Sequence, residues 1–277
     1  MESTPVPARR ALPVAPYIGG KRNLADRIIQ RIAGTPHERY AEVFVGMAGV
    51  FLRRPFRAPR GEVINDISAD VVTLFRILQR HYVPFLEMLR WQLTTRADFE
   101  RLMATDPDTL TDLERAARFL YLQRTAFGGK VTGRSFGVSM GPARFNITKL
   151  VPLLEAAHER LADVTIERLP WSAFLERYDR PGTLFYLDPP YWGCETDYGK
   201  AVFAQEDFAR LAEQLARLKG RFLMSLNDTP EVRQLFGRFT IEPIRTTYSL
   251  DKNQAVPGGA AELLTSGPGR RRHRRQA

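Results

Sequence analysis

The sequence reads LFYLDPPYW over residues 184–192, and the interpretation of the whole chain depends on this stretch. A short apolar run of β-forming residues leads directly to Asp188, which predicts a buried strand that ends at this acid. Pro189 and Pro190 each fix their own φ and hold the preceding residue extended. Because neither proline has an amide hydrogen, a tight local turn cannot satisfy the carbonyls of Asp188 and Pro189, which stay available as hydrogen-bond acceptors.

The end of this strand suits a flat group that carries an NH2. The Asp188 side chain and the Pro189 carbonyl can accept its two hydrogens while Tyr191 stacks on its ring. The alternative is a proline-terminated strand with an Asp on the protein surface. The motif alone favours neither, so the rest of the chain has to decide.

Length and charge set the first limits. At 277 residues with 44% hydrophobic content, the chain is long enough for one α/β core with an inserted subdomain. The net charge is +10, and arginines near the C-terminus supply five of those charges, which leaves about +5 for the remainder. A basic balance favours nucleic acid as a partner. Biased codon usage or a solvated arm would give the same excess of arginine. The charge is therefore only supporting evidence for nucleic-acid binding.

Cys194 is the only cysteine in the sequence, which excludes an internal disulfide and a cysteine-based zinc cluster and fits a reducing compartment. No apolar run approaches the length that spans a bilayer, and prolines interrupt residues 1–16, where a signal peptide needs a continuous apolar stretch. We therefore expect a soluble, cytoplasmic protein that has no membrane partner, needs no metal and forms a monomer or a weak dimer.

Two glycine turns near the N-terminus can bring the backbone close to a ligand. Tyr17 precedes the first turn, Gly19-Gly20-Lys21, which alone is a weak signal because it lacks the spacing and the Ser/Thr of a phosphate-binding P-loop. Residues 40–45 predict a strand that runs into Gly46, and the apolar residues 50–52 predict the start of a helix. Small residues in such a turn allow close approach of a ligand, and a helix start offers unpaired amides.

A second acid follows a second predicted strand. Residues 62–64 are β-forming and lead to Asn65-Asp66, with Ser68 placed to cap the next helix. An acid at this position can accept hydrogen bonds from ribose hydroxyls. The alternative is that Asp66 only caps the helix; the preceding glycine turn favours ribose binding.

The middle of the chain differs in composition. Residues 81–127 follow a helical pattern, with a capping box at Thr111. Residues 124–145 are then rich in Gly, Arg, Lys and Ser with interleaved Phe, which predicts an ordered loop or hairpin for a partner. The candidates for phosphate or base contacts are Arg124, Lys130, Arg134 and Arg144. The alternative is a long polar surface loop.

The remaining pattern alternates strands and helices on both sides of this middle region. It predicts an α/β fold with a Rossmann-like, doubly wound sheet that binds ligand at the carboxyl ends of its strands. The same pattern places an inserted, mostly helical subdomain between the second strand and Asp188.

In order, these motifs resemble the Dam family of DNA adenine N6-methyltransferases from about residue 17 to 265. The corresponding elements are Tyr17 with Gly19-Gly20-Lys21, Phe44-Val45-Gly46, Asn65-Asp66, the insert, Asp188 to Tyr191, Leu226-Asn227-Asp228-Thr229 and Glu262-Leu263-Leu264. One departure concerns the turn after Phe44: the second glycine of Phe-x-Gly-x-Gly is Ala48, and Gly49 falls one place later.

The resemblance implies S-adenosylmethionine as the methyl donor, duplex DNA as the partner and adenine-specific methylation, as in restriction-modification systems. Asp66 would contact the ribose of the donor, and Asp188 would reach toward its methionine end. The implied donor-binding residues are Tyr17, Gly20, Lys21, Phe44, Gly46, Asp66 and Asp188. The implied catalytic residues are Asp188, Pro189 and Tyr191, with Tyr191 as the stacking platform for a flipped base. Trp192 either adds to this platform or packs.

The implied domain organisation has four parts. Residues 17–92 and 169–266 form the methyltransferase domain, and residues 93–168 form a target-recognition insert. Residues 1–16 are expected to be a flexible segment, and residues 267–277 a basic tail.

Three other functions fit part of the pattern. An enzyme that methylates cytosine N4 or an RNA base would use similar acceptors, but the acid at Asp188 and the long insert favour adenine in duplex DNA. A non-catalytic DNA-binding protein with this fold would not need the intact set of Asp188, Pro189 and Tyr191. A nicotinamide-dependent dehydrogenase would explain Gly46 and Asp66 but not Asp188.

Overall fold

The computed structural model describes residues 6–137, 142–199, 202–246 and 260–267. The predicted basic tail, apart from Gly267, lies outside these residues. The strands of the described part are β1 (Val6–Pro7), β2 (Arg39–Glu42), β3 (Phe56–Arg57), β4 (Glu62–Asn65), β5 (Val164–Glu167), β6 (Thr183–Leu187), β7 (Arg221–Asn227), β8 (Thr240–Thr246) and β9 (Ala260–Gly267).

The α-helices of the described part flank these strands. They are α1 (Ala25–Ala33), α2 (Ala69–Arg80), α3 (Tyr82–Leu89), α4 (Arg96–Ala104), α5 (Asp112–Thr125), α6 (Ile147–Leu161), α7 (Trp171–Tyr178), α8 (Gln205–Arg217) and α9 (Pro230–Phe236). Short 3-10 turns occupy Pro107–Thr109, Phe127–Gly129 and Glu195–Tyr198.

Seven of the described strands form one sheet in the order β5-β4-β2-β6-β7-β9-β8. Neighbouring strands from β5 to β7 are parallel, and β9 runs antiparallel between β7 and β8. The predicted α/β, Rossmann-like class is confirmed. The chain builds outward from β2 through β4 to β5 and then returns to β6 on the other side of β2. The carboxyl ends of β2 and β6 therefore form the topological switch point, where open α/β sheets bind ligands.

The central strand β6 is buried on both faces, as its apolar sequence predicts. Leu184 and Tyr186 pack into the apolar cluster that includes α1, α2, α5 and α6. Phe185 and Leu187 pack into the cluster that includes α7, α8 and α9. Because successive side chains of a strand point to opposite faces, the same strand supports both helical layers and holds its carboxyl end in a fixed place.

The helix starts that were predicted from capping residues are confirmed. The Ser68 side chain accepts from Val71 N at the start of α2, and Thr111 and Glu114 form the predicted capping box of α5. Thr229 caps α9, with Pro230 in the first turn. These caps satisfy backbone donors that a helix start leaves unpaired.

The helix predicted to begin at residues 50–52 is absent: residues 47–53 form consecutive turns. Gly46 and Ala48 have φ of 48° and 56°, which is the left-handed region and interrupts a right-handed helix. The position where the motif usually has a second glycine thus does require a left-handed residue, and Ala48 adopts it.

Residues 6–16, expected to be flexible, are instead packed against the rest of the chain. β1 pairs with β3, Ala11 N donates to Leu52 O at 2.8 Å, and Val14 is fully buried. Apolar residues at these positions explain the packing, which charge and proline content did not predict.

The domain boundaries of residues 93–168 stay a prediction. Within this range α4, α5 and α6 are helical, as expected for the insert. However, β5 pairs with β4 at the edge of the central sheet, and α5 and α6 contribute to the apolar cluster on one sheet face.

Candidate active site

Asp188 comes directly after β6, and its carboxylate is held through one oxygen. Lys21 Nζ lies 2.7 Å from Oδ1, and Ser225 Oγ donates to the same oxygen at 3.0 Å. None of the described residues donates a hydrogen bond to Oδ2, and 20% of the side-chain surface is exposed. The second oxygen is therefore available to a ligand.

Burial and the neighbouring charges have opposite effects on the pKa of Asp188. Burial raises the pKa of its carboxyl to about 6, while the Lys21 ammonium opposes this increase. Glu262, which is buried on β9, raises the pKa of Asp188 further. Asp188 is thus mostly ionised at neutral pH but becomes protonated under mildly acidic conditions.

Lys21 connects the first glycine turn to the Asp-Pro-Pro-Tyr segment. Its side chain is 4% exposed. Nζ donates to the Tyr191 hydroxyl at 2.7 Å and lies 4.5 Å from the centroid of the same ring. Glu262 Oε2 is 3.9 Å from this ammonium. A single buried cation therefore bridges the predicted acceptor and the predicted stacking platform.

Asp66 shapes the second glycine turn from the neighbouring strand. Its Oδ2 accepts from Gly46 N, and its Oδ1 accepts from Ser68 N, each at 2.9 Å. Ser68, not Asp66, is the residue that caps α2. A carboxylate has about four lone-pair sites, so both oxygens can still accept from a ligand hydroxyl.

Gly46 also permits close packing of Tyr17. A Cβ on Gly46 would lie 2.9 Å from Cε1 of the Tyr17 ring, which is closer than carbon atoms approach. With φ of 48°, the position is additionally strained for any side chain. The glycine thus brings Tyr17, the first turn and the Asp66 turn together.

These elements line one cavity of about 1210 Å³. All seven predicted donor-binding residues face it: Tyr17, Gly20, Lys21, Phe44, Gly46, Asp66 and Asp188. Pro190 lines it too, whereas Pro189 and Tyr191 do not. Among the described residues no backbone donor reaches the Pro189 carbonyl, and its role as an acceptor for a ligand stays a prediction. Cavities that bind small ligands measure roughly 300–1,000 Å³, so there is room for a donor and part of a second molecule.

Glu42 is a cavity residue that the sequence analysis missed. It ends β2, is 2% exposed, lines the cavity and accepts from the Tyr40 hydroxyl at 2.7 Å. Burial raises the pKa of Glu42 to about 8. In the sequence Glu42 lies inside the β-forming run of residues 40–45, so the rule used for Asp66 did not single it out; the observed strand ends earlier than predicted, at Glu42.

The sequence left the role of Trp192 open; in the structure its side chain packs against Phe208. Its ring lies 5.1 Å from that of Phe208, and Phe208 contacts Phe203 in the same aromatic group. Trp192 does not line the cavity. Cys194 is exposed, and Cys194 N donates to Tyr191 O at 2.9 Å, which closes the turn after Tyr191.

Within the predicted region of residues 124–145, of which 138–141 lie outside the described residues, residues 126–136 form an ordered loop. Ala126 and Phe136 form an antiparallel bridge, and Phe127 N donates to Ser135 O at 2.9 Å. Thr132 at the tip donates to Asp197 O at 3.3 Å, so the loop reaches the segment after Tyr191.

Buried Gln123 joins this loop to the N-terminal segment. Its Nε2 donates to Pro16 O at 2.9 Å and to Gly129 O at 2.6 Å. The Gly129 carbonyl also accepts from Ile18 N at 3.0 Å. The loop and the Tyr17 turn are therefore one connected structure beside the cavity.

The four predicted DNA-binding residues have different surroundings. Arg124 Nη1 donates to Val14 O at 2.8 Å, and Arg144 Nη1 donates to Ala126 O at 3.0 Å; both side chains line the cavity. Arg134 Nη2 donates to Gln123 Oε1 at 3.1 Å. Lys130 is exposed. The three arginines thus help to hold the loop, and contact of any of the four with DNA stays a prediction.

Metal binding would require a cluster of ligands in the described part of the chain. This part contains no group of three or more His, Cys, Asp or Glu side chains placed to hold a metal ion. None of the helices in this part is both long and apolar enough to cross a membrane.

Comparison with known proteins identifies the family of this chain. Residues 17–250 match the family described as D12 class N6 adenine-specific DNA methyltransferase. The match includes the glycine turns, the loop at 126–136 and the Asp188 segment, which are the elements that build the cavity.

Three relatives have similar sequences. The type II methyltransferase M1.LlaDCHI of Lactococcus lactis subsp. cremoris is 27% identical, over 93% of this chain and 95% of the relative. The type II methyltransferase M.CviBI of Paramecium bursaria Chlorella virus NC1A is 24% identical, over 85% and 89%. The DNA N-6-adenine-methyltransferase of Escherichia phage P1 is 24% identical over 90% of this chain but 34% of that protein. The resemblance seen in the motifs is confirmed, and the chain belongs to the D12 class of N6 adenine-specific DNA methyltransferases.

Proposed function

We propose that this protein transfers the methyl group of S-adenosylmethionine to N6 of an adenine in duplex DNA. The observation that carries the proposal is that Asp188, which lines the cavity at the switch point of the sheet, has an oxygen, Oδ2, that accepts no hydrogen bond from the described residues. The carbonyl of the next residue, Pro189, accepts none from their backbone either. Family membership supports the same reaction. As a member of a DNA methyltransferase family, the protein is proposed to be a bacterial or phage-encoded enzyme that acts in the cytoplasm and associates with the nucleoid through DNA.

The cavity residues fit S-adenosylmethionine. Asp66 keeps lone pairs for the ribose hydroxyls, Gly46 leaves the backbone open, and Tyr17 and Phe44 offer apolar ring surface. When bound, this donor supplies an electrophilic methyl group on a sulfonium. The seven cavity residues would hold it, and Asp188 would contact its methionine end.

Asp188 and Pro189 act on the target amine. The N6 lone pair is delocalised into the adenine ring, so acceptors on both N6 hydrogens favour the pyramidal nitrogen that attacks. Asp188 Oδ2 accepts one hydrogen and the Pro189 carbonyl the other. Methyl transfer would form the bond between N6 and the methyl carbon while the bond between that carbon and the donor sulfur breaks, and the neutral thioether would leave. N6 would then carry a positive charge and lose one proton, which the Asp188 carboxylate can accept. Catalysis comes from position and electrostatics, without a covalent enzyme intermediate.

The target base must leave the duplex to reach this position. An amine inside paired DNA cannot approach a buried methyl donor, and Tyr191 is the proposed stacking surface for the flipped adenine. Lys21, which binds the Tyr191 hydroxyl, holds this ring beside Asp188.

The experiment is incubation of the purified protein with mixed-sequence duplex DNA and S-adenosylmethionine that carries a deuterated methyl group. Digestion and mass spectrometry should show N6-methyladenine with the isotope. Labelled N4-methylcytosine instead would indicate the alternative amino-methyltransferase, and a matched RNA sample tests the RNA alternative. Absence of any labelled nucleoside would support the non-catalytic alternative and end the proposal.

The acidity of Asp188 makes the proposed reaction depend on pH. Because the raised pKa is about 6, the carboxyl becomes protonated below this pH and offers a hydrogen where an acceptor is needed. We expect kcat/KM to fall about tenfold per pH unit below pH 6 and to level off above about pH 7. Initial rates at constant ionic strength measure this profile; a flat profile down to about pH 5 would contradict it.

Lys130 is the proposed DNA contact in the 126–136 loop because its ammonium is exposed at the rim. We expect Lys130→Ala to weaken DNA binding and to lower the salt dependence of the affinity by about one counterion. Lys219→Ala is the matched control. Lys219 is also exposed, but it precedes the first residue of β7 and so lies near the amino ends of the parallel strands, whereas the cavity lies at their carboxyl ends. Equal DNA affinities of the two variants would remove Lys130 from the interface.

A further inference from the structure

Asn227, the last residue of β7, makes two hydrogen bonds with the backbone of one residue. Trp192 N donates to Asn227 Oδ1 at 2.9 Å, and Asn227 Nδ2 donates to Trp192 O at 3.0 Å. A side-chain amide that pairs with both the N–H and the C=O of a residue fixes the position and the orientation of its backbone. The two residues are 35 positions apart in sequence, so this pair joins separate segments.

The paired residue directly follows Tyr191 in the Asp-Pro-Pro-Tyr segment. Ser225, two positions before Asn227, donates to Asp188 at the other end of that segment. Because alternate residues of a strand share a face, one face of β7 supports both ends of the segment. The Trp192 ring is held separately by Phe208 on α8, so the amide of Asn227 determines the backbone rather than the ring.

We propose that Asn227 is a positioning residue for methyl transfer. It fixes the backbone after Tyr191, so that the ring of Tyr191 and the Pro189 carbonyl keep a defined geometry relative to Asp188. The inference rests on the proposed function, because it concerns the orientation of the amine that this function places there. A displacement of about 1 Å in a reacting geometry can cost roughly 100-fold in rate.

The local structure separates this role from one in folding or in donor binding. Asn227 is only partly buried and ends its strand, and its backbone pairs with β9 whatever its side chain is. It does not line the cavity that holds the seven proposed donor-binding residues. Removal of its amide should therefore alter the Asp-Pro-Pro-Tyr segment and leave the sheet and the donor site in place.

The test compares Asn227→Ala with Asp228→Ala. Asp228 is the next residue and pairs with Arg233 on α9 at 2.6 Å, away from Trp192. We expect Asn227→Ala to lower kcat on mixed-sequence duplex DNA by about 10–100-fold, with the affinity for S-adenosylhomocysteine and the thermal midpoint close to wild type. Hydrogen exchange should increase in the peptide that contains Trp192 N and not elsewhere. Asp228→Ala should match the wild type in every measurement.

A second variant keeps the inference testable if Asn227→Ala folds poorly. Asn227→Asp retains the acceptor for Trp192 N but places an oxygen against Trp192 O, so it should also lower kcat and increase exchange at this peptide. An unchanged kcat in both variants, or a loss of kcat that parallels a loss of S-adenosylhomocysteine affinity or stability, would overturn the inference. If the wild type itself forms no N6-methyladenine, the proposed function is wrong. If the wild type and both Asn227 variants are equally active, the proposed function stands and only the positioning role of Asn227 is wrong.

Discussion

Asp188→Asn is expected to lower kcat for methyl transfer by about 10²–10⁴-fold, the range for loss of a positioned proton acceptor or of a key electrostatic contact. The asparagine can keep an oxygen toward Lys21 and Ser225, which bind Oδ1 at 2.7 and 3.0 Å. Its NH2 then replaces Oδ2 and turns a donor toward the hydrogens of the target amine. The chemical step should therefore fail while the surrounding contacts remain.

The measurement is single-turnover formation of N6-methyladenine, combined with S-adenosylhomocysteine binding. Ser225→Ala is the matched control, because it leaves the carboxylate in place while it removes the hydrogen bond to Asp188 and the one that joins Ser225 to the Tyr186 hydroxyl; its rate should fall by about tenfold, which is less than the loss expected for Asp188→Asn. A rate for Asp188→Asn within tenfold of wild type would show that another group accepts the N6 hydrogen.

Asparagine tests this better than alanine does. Lys21 is buried, and its ammonium has the Asp188 carboxylate as its nearest charge, while Glu262 lies 3.9 Å away. Both variants remove the negative charge beside this buried cation, but Asp188→Ala also removes the hydrogen-bond acceptor, and breaking a buried pair in this way destabilises a protein by about 3–5 kcal/mol. A loss of activity in Asp188→Ala would then combine loss of the acceptor with loss of stability.

The sequence predicted the main residues of the site because they follow a simple rule. Gly46, Asp66 and Asp188 each come directly after a β-forming run, and the carboxyl ends of parallel strands meet at one edge of a sheet. Order along the chain was therefore enough to place these residues together. Glu42 does not follow this rule, because the β-forming run continues to Val45, and only the structure shows that the strand ends at Glu42.

Other features depend on distances that sequence does not contain. The sequence identified the arginines of the glycine-rich loop, but their hydrogen bonds to Val14 O and Ala126 O follow from the path of the N-terminal segment. Ser225 lies in an apolar run, and its bond to Asp188 arises only because β6 and β7 are neighbours. A long side chain can face solvent, a carbonyl or a phosphate, and only the packing around it decides between these.

A large loss of stability is expected when Glu62, the first residue of β4, is replaced. This buried carboxylate binds two buried arginines: Arg54 Nη1 at 2.7 Å through Oε1 and Arg160 Nη1 at 2.6 Å through Oε2. The remaining contacts of the guanidinium groups are mainly aromatic. Arg54 lies 3.6 Å from the centroid of Tyr40, and Arg160 lies 4.0 Å from that of Phe51. Nε and Nη2 of both arginines have no hydrogen-bond partner among the described residues.

Glu62→Ala should therefore lower the free energy of unfolding by at least about 3–5 kcal/mol, because it leaves two buried cations without their shared anion. A typical domain has only about 5–15 kcal/mol in total, so the variant should be close to unfolding at room temperature. Urea denaturation followed by circular dichroism measures the loss. Glu38→Ala is the matched control: Glu38 pairs with Arg60 at 3.3 Å, but both side chains are exposed, and such a pair contributes at most about 1 kcal/mol.

The joint replacement Arg54→Met, Glu62→Leu and Arg160→Met tests whether charge causes the loss. Apolar side chains of similar volume carry no desolvation cost, so this variant should recover most of the stability that Glu62→Ala loses. It should also keep cofactor affinity close to wild type, because Arg54 directly follows the turns at residues 47–53, and Arg160 lies in the last turn of α6 beside the same sheet. If Glu62→Ala is instead within about 1 kcal/mol of wild type, the ion pairs of Glu62 with Arg54 and Arg160 do not hold these turns to the sheet.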